Sequence, residues 1–160
     1  MDTHRRIDLM EEALTRQVKT NAAADTKVST LIGIDTTMLA VLAALINRLG
    51  EAPAWTVVLI AVAAGALLFG ILFLSLSSVP RTSRTTSSVI FFGSIARMSP
   101  TSYGEAMRTI SAEAYLDDLI EQTHRTAEIA TQKFRWIQRA QQAWYIAILP
   151  WLLAVYTLAR

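Results

Sequence analysis

The groups that could do covalent chemistry in this chain are few and scattered. His4 and His124 are the only histidines, far apart and in no metal-ligand spacing, and there is no cysteine. No GxxxxGKS/T phosphate loop, no GxSxG turn for a nucleophilic serine and no HExxH motif occurs. Glu11–Glu12 and Asp117–Asp118 pair carboxylates only in sequence. Adjacent residues on a helix point ~100° apart, so these read as solvated faces. We therefore expect no enzyme, no catalytic residue, no metal and no cofactor.

The informative groups are polar residues set inside apolar stripes. Stepping ~100° per residue from Gln122, Tyr115, Ile129, Lys133 and Ala140 fall within about 20° of it, flanked by Leu119 and Ile137 at about +60°. Stepping from Leu14, Ile7, Asn21, Asp25 and Ile32 also fall within about 20°, whereas Lys27 falls at about −140°. Gln122 and Lys133 thus share one inward face, and Asn21 and Asp25 share another. A buried charge is costly unless paired. Two readings follow: an Asp25–Lys133 salt bridge joining two helices, or a polar pocket that receives a ligand. Asp35 stands apart, about seven residues into an apolar segment. A carboxylate there suggests gating or sealing of an assembly, or a helix-packing contact.

The elements that position these groups are helical. Ile7, Met10, Leu14, Val18, Asn21, Asp25 and Val28 follow three-and-four spacing, which predicts an amphipathic helix over residues 1–27. No Gly or Pro occurs before Gly33, so nothing stops it from entering a first apolar span over 28–49. Asn47, Gly50 and Pro53 predict a tight turn. The stretch 54–78 is the most apolar of the chain. At ~1.5 Å per residue its 24 residues from Trp55 reach ~36 Å, enough to cross a ~30 Å hydrocarbon core. It shows no polar face, and Ala63, Ala64, Gly65, Ala66 and Gly70 suggest close helix packing. Pro80 ends it. Within 79–139, Val89–Met98 reads as a short helix or re-entrant turn broken by Gly93. Ser99 and Pro100 read as the N-cap and first position of another helix. A long charged helix from about Ser111 runs into a third span over 140–159, with Pro150 expected to kink it.

The chain is 52% hydrophobic and 18% charged, with a mean hydropathy of +0.35. That is too apolar for a small soluble domain and too charged for membrane spans alone. The start, MDTHRRIDLMEEALTRQ, is charged throughout and does not read as a cleavable signal. Five of the fifteen basic residues precede the first span, and eight lie between the second and third, leaving only Arg48 and Arg160. The positive-inside rule then predicts a cytoplasmic N-terminus, a cytoplasmic 79–139 region and a periplasmic C-terminus.

Three segments resemble the transmembrane Pycsar effectors, bacterial antiphage proteins encoded beside a pyrimidine cyclase: ADTKVSTLIGID at 24–35, FFGSIARMSPTSY at 91–103 and YLDDLIEQTHRTAEIATQKFRWIQRA at 115–140. The resemblance implies a membrane effector that senses cyclic CMP or cyclic UMP from a cognate cyclase and impairs the inner membrane. It carries over onto Asp25, Lys27, Phe91, Phe92, Gly93, Tyr115, Gln122 and Lys133, and implies that the helical body itself holds the ligand. A single phosphate needs a cation, for which Lys133, Arg97 and Arg84 are candidates. The base needs amide or stacking groups, for which Gln122, Tyr103, Tyr115 and Phe92 are candidates.

The expectation is an all-α integral membrane protein with three spans and long cytoplasmic helical extensions. Its function would be cyclic-nucleotide-triggered membrane disruption leading to growth arrest or abortive infection. Expected partners are the lipid bilayer and further copies of the chain in a homo-oligomer, with no nucleic acid. The rival expectation is a constitutive oligomeric scaffold or channel subunit with no nucleotide ligand.

Overall fold

A computed structural model describes residues 2–79 and 88–160. Helix α1 runs unbroken over Thr3–Leu45, so the amphipathic segment and the first span belong to one helix. Where a tight turn was expected, Ile46–Glu51 instead forms a 3-10 helix. Ala52 leaves it in the extended region, at φ −90° and ψ 153°, as the residue before a proline prefers. Helix α2 covers Trp55–Ser78. Helix α3 is one turn, Phe92–Ile95. Helix α4, Pro100–Thr109, starts as its sequence predicts: the Ser99 side chain accepts from the Ser102 N–H at 3.1 Å, and Pro100 fills the first turn. Helix α5, Ala112–Ala159, is 48 residues long and continues through Pro150. All described secondary structure is helical, and α1, α2 and α5 are each long and apolar enough to cross a membrane.

The chain divides into two compact units. In the unit formed by Met1–Ala23 and Pro80–Thr131, the start of α1 lies beside the start of α5. Glu11 meets Tyr115 and Asn21 meets Thr126, so the two segments run parallel. In the unit formed by Ala24–Val79 and Gln132–Arg160, α1, α2 and α5 form a three-helix core. Its successive layers are Ala24, Val28, Leu74, Ile137 and Ala140; then Met38, Leu67 and Ala147; then Leu42, Ala63 and Ala154. Residue numbers rise together on α1 and α5 and fall on α2, so α2 is antiparallel to both.

The buried stripes recur every 3.5 residues. On α1 they include Val28, Asp35 and Leu42, with Ala24 and Met38 between them and the half-buried Asn21 and Leu31 in the same register. On α2 the buried set is Thr56, Ala63, Gly70 and Ser77, with Leu67 and Leu74. On α5, the buried Ala140, Ala147 and Ala154 alternate with Ile137 and Leu158, which are buried, and Trp144 and Trp151, which are half-buried. This is the spacing of helices that supercoil to keep one seam in contact. It corrects the expected α1 stripe, which followed a straight 3.6-residue period through Val18 and Asp25. Val18 is 56% exposed, and the Asp25 side chain is 56% exposed. The seam passes one residue earlier, through Gln17 and Ala24.

Helix α2 also departs from the all-round apolar expectation. Its inward face carries Thr56, Gly70 and Ser77, while Val58, Leu68, Phe69 and Leu72 are exposed. In lipid that arrangement is favourable, because small residues let backbones approach and large apolar ones meet acyl chains at no cost.

Candidate functional site

The predicted residues fall into the two units. In the first unit, Asn21 on α1 stands against α5. Its Nδ2 donates to the Gln17 carbonyl and to the Thr126 carbonyl, both at 3.2 Å. The Thr126 hydroxyl in turn donates to the Gln122 carbonyl at 2.7 Å. Gln122 is 6% exposed, on the inward face that its sequence register predicts. Three buried side-chain atoms on these two helices lack a hydrogen-bond partner: Asn21 Oδ1, Gln122 Nε2 and Thr123 Oγ1. Leaving such a group unpaired in a buried position costs ~1–3 kcal/mol.

Tyr115, also on α5, donates its hydroxyl to Glu11 Oε1 at 2.9 Å. Burial first, then this bond and the nearby charges of Glu11, Asp118 and Tyr103, push the phenol up to about 12. Asp118 is not the solvated carboxylate that its pairing with Asp117 suggested. Its Oδ2 accepts from Ser88 Oγ and from the Val89 N–H, each at 2.9 Å. The Ser88 hydroxyl oxygen accepts in turn from the Ile90 and Phe91 N–H groups. That network ties the segment entering α3 to α5. Beyond it, the Phe91 and Phe92 rings sit 4.8 Å apart. Phe92 is 69% exposed. Gly93 lets the Phe91 ring lie close, since a Cβ there would stand 2.6 Å from it and the ring would have to move. Arg97 is exposed, Tyr103 half-buried, and Arg84 lies outside the described residues.

In the second unit, Lys133 Nζ binds Asp25 Oδ1 at 2.6 Å. The pair forms as the wheel of each helix suggests, but it lies at the edge of the seam: Lys133 is 17% exposed and Asp25 56%. Lys27, on the outer side, places its ammonium 5.9 Å from the Phe134 ring centroid. Asp35 is 2% exposed, and its Oδ1 has no partner. Its other oxygen occupies the notch left by Gly70 on α2, only 2.8 Å from where a Cβ there would stand. One layer on, Trp151 Nε1 donates to the Met38 carbonyl at 2.9 Å.

Gly70 does take part in close helix packing, as the small residues of α2 suggested, whereas the contacts of Asp118 and Trp151 were not legible in the sequence. For Gly70 a signal existed, the seven-residue recurrence of small residues at Thr56, Ala63, Gly70 and Ser77. Asp118 and Trp151 act on backbone groups distant in the chain, which no local pattern announces.

A family model, the Pycsar effector protein domain, matches residues 9–160. The chain belongs to the Pycsar effector family. The matched range contains every candidate residue named above. Membership places this Pycsar effector among the proteins of antiphage defence, and its three long apolar helices make it a membrane protein. No curated protein and no solved structure matches it.

Proposed function

We propose that this effector is triggered by cyclic CMP or cyclic UMP and then impairs the bacterial inner membrane, arresting growth of the infected cell. The observation that carries the reading is the set of unpartnered groups at Asn21, Gln122 and Thr123 in the first unit. They comprise an amide acceptor, an amide donor and a hydroxyl that can act as either. A pyrimidine edge presents the complementary set, a carbonyl acceptor beside a ring nitrogen and an exocyclic amino or carbonyl group. Arg97, exposed in the same unit, is available to the phosphate. Lys133, already engaged by Asp25, we read as structural.

The chain acts here as a ligand-gated membrane device and not as an enzyme. Its N-terminus is cytoplasmic and its C-terminus periplasmic, which fits the basic-residue asymmetry and the parallel α1 and α5 of the second unit. It works as a homo-oligomer, because the three spans of one copy are too few to enclose a pore.

Calorimetric titration of the purified protein with cyclic CMP and cyclic UMP tests the reading, with melting temperature as a second readout. A ligand at 100 times its Kd should add about 2.7 kcal/mol of stability. Gln122→Leu should abolish that gain while leaving the unliganded protein equally or more stable, since it removes an unpaired amide. A protein that binds neither nucleotide would point to the constitutive scaffold instead. So would toxicity that is the same with and without an active cyclase.

A further inference from the structure

Beyond the nucleotide reading, the second unit carries an open groove of about 530 Å³ between α2 and α5. That volume is within the range of small-molecule sites, ~300–1,000 Å³. It is lined by Ala61, Gly65, Ala66, Phe69 and Phe73 on α2 and by Ala143 on α5. From Ala61 to Phe73 the groove follows α2 for ~18 Å, close to the ~15 Å of one bilayer leaflet. Arg139 and Gln142 line its polar end.

Arg139 is the last basic residue before the third apolar run, so it stands at headgroup level. Its guanidinium lies 4.7 Å from the Trp136 ring centroid. No acidic partner for it occurs among the described residues. Trp136 stacks on Phe73 at 5.9 Å, and Phe73 on Phe69 at 6.4 Å. An aromatic ladder therefore leads from an unneutralised cation into an acyl-sized furrow. Stacking covers one face of the guanidinium and leaves its edge N–H groups free, the geometry that grips a phosphate with two hydrogen bonds.

We propose that this groove is a binding site for one anionic phospholipid, its phosphate on Arg139 and one acyl chain along Phe73, Phe69 and Gly65. Charge decides the occupant: a helix of a second copy would bury Arg139 without an anion to pair it, at a cost that a phosphodiester avoids. Gln142, one turn from Arg139 on the same face, is positioned for the glycerol esters.

The test uses the full chain in a neutral detergent, titrated with phosphatidylglycerol or with phosphatidylcholine of the same acyl chains and read by native mass spectrometry. Phosphatidylglycerol should saturate at one tightly held lipid per chain, and phosphatidylcholine should bind more weakly. Arg139→Gln should weaken phosphatidylglycerol about tenfold, the loss of a charged hydrogen bond, and weaken phosphatidylcholine, whose choline already offsets its phosphate, by less, so that the preference disappears. Gly65→Leu fills the groove from a position where a Cβ meets open space, and should remove the tight lipid without lowering the melting temperature. Equal retention of the two lipids by the unmodified protein overturns the proposal. So does Arg139→Gln protein, folded by its melting curve, that keeps the preference. A dimer lost on Gly65→Leu with no change in lipid retention would assign the groove to a second copy.

Discussion

Gly70 and Asp35 give the sharpest test of the packing. A methyl group at Gly70 would lie 2.8 Å from Asp35 Oδ2 and 3.8 Å from the Ala140 carbonyl, against 3.4 Å or more for an ordinary contact. The carboxylate or the helix must yield by roughly 0.6 Å, and Asp35, 2% exposed, has little room to turn. Gly70→Ala should therefore destabilise the protein by ~1–3 kcal/mol, the usual cost of overpacking. At roughly 2–4 °C per kcal/mol for a chain of this size, the melting temperature should fall by several degrees. Asp35→Ala alone removes a carboxylate with an unpaired oxygen, so it should be nearly neutral or stabilising. With Asp35→Ala in place, Gly70→Ala should cost little, a coupling of ~1–2 kcal/mol between the two sites. Gly65→Ala is the control: its Cβ meets nothing within 4 Å, and its effect should stay within ~0.5 kcal/mol. Thermal unfolding of the four proteins in one detergent completes the cycle. Additive effects of the two substitutions, or a harmless Gly70→Ala in the parent, would refute the close approach of α1 and α2 at this layer.

Three further outcomes are expected. Lys133→Ala and Asp25→Ala should each cost only ~0.2–1 kcal/mol in chemical denaturation, because Asp25 is 56% exposed and water screens the pair; a loss of several kcal/mol would show it to be buried in the working state. A reporter fused after Arg160 should be active only in the periplasm, and one inserted at Ser111 only in the cytoplasm; cytoplasmic activity from the C-terminal fusion would refute the proposed orientation. Tyr115, raised to about 12 from an ordinary value of 10.0, keeps its proton in the folded state over a range where the unfolded chain loses it. Its contribution to stability should thus be full below pH 10 and vanish as the pH rises towards 12; a tyrosinate absorbance titration that Tyr115→Phe leaves unchanged near pH 12 would contradict this.

Much of the architecture was legible because it rests on local physics. Trp55–Ser78 holds no charge, no proline and a length that matches a bilayer, so its nature follows from backbone satisfaction in lipid. The start of α4 follows from Ser99 and Pro100, and the continuity of α1 from the lack of any breaker before Gly33. Gln122 was placed inward by its own register, and the likeness to Pycsar effectors was readable in three segments. Other features depend on what one helix meets on another. A straight wheel carries the α1 stripe through Val18 and Asp25, and only contact with the neighbouring helices selects Gln17 and Ala24 instead, the 3.5-residue spacing. The inward face of α2 is invisible to hydropathy, because in a membrane the outside is as apolar as the inside and packing selects small residues instead. Asp118 reaches Ser88 across 30 residues, and Asp35 finds its place at Gly70 because that residue lacks a side chain. Helix type and length are set by each residue's near neighbours; which polar atoms stay unpaired is decided only when distant helices close on one another.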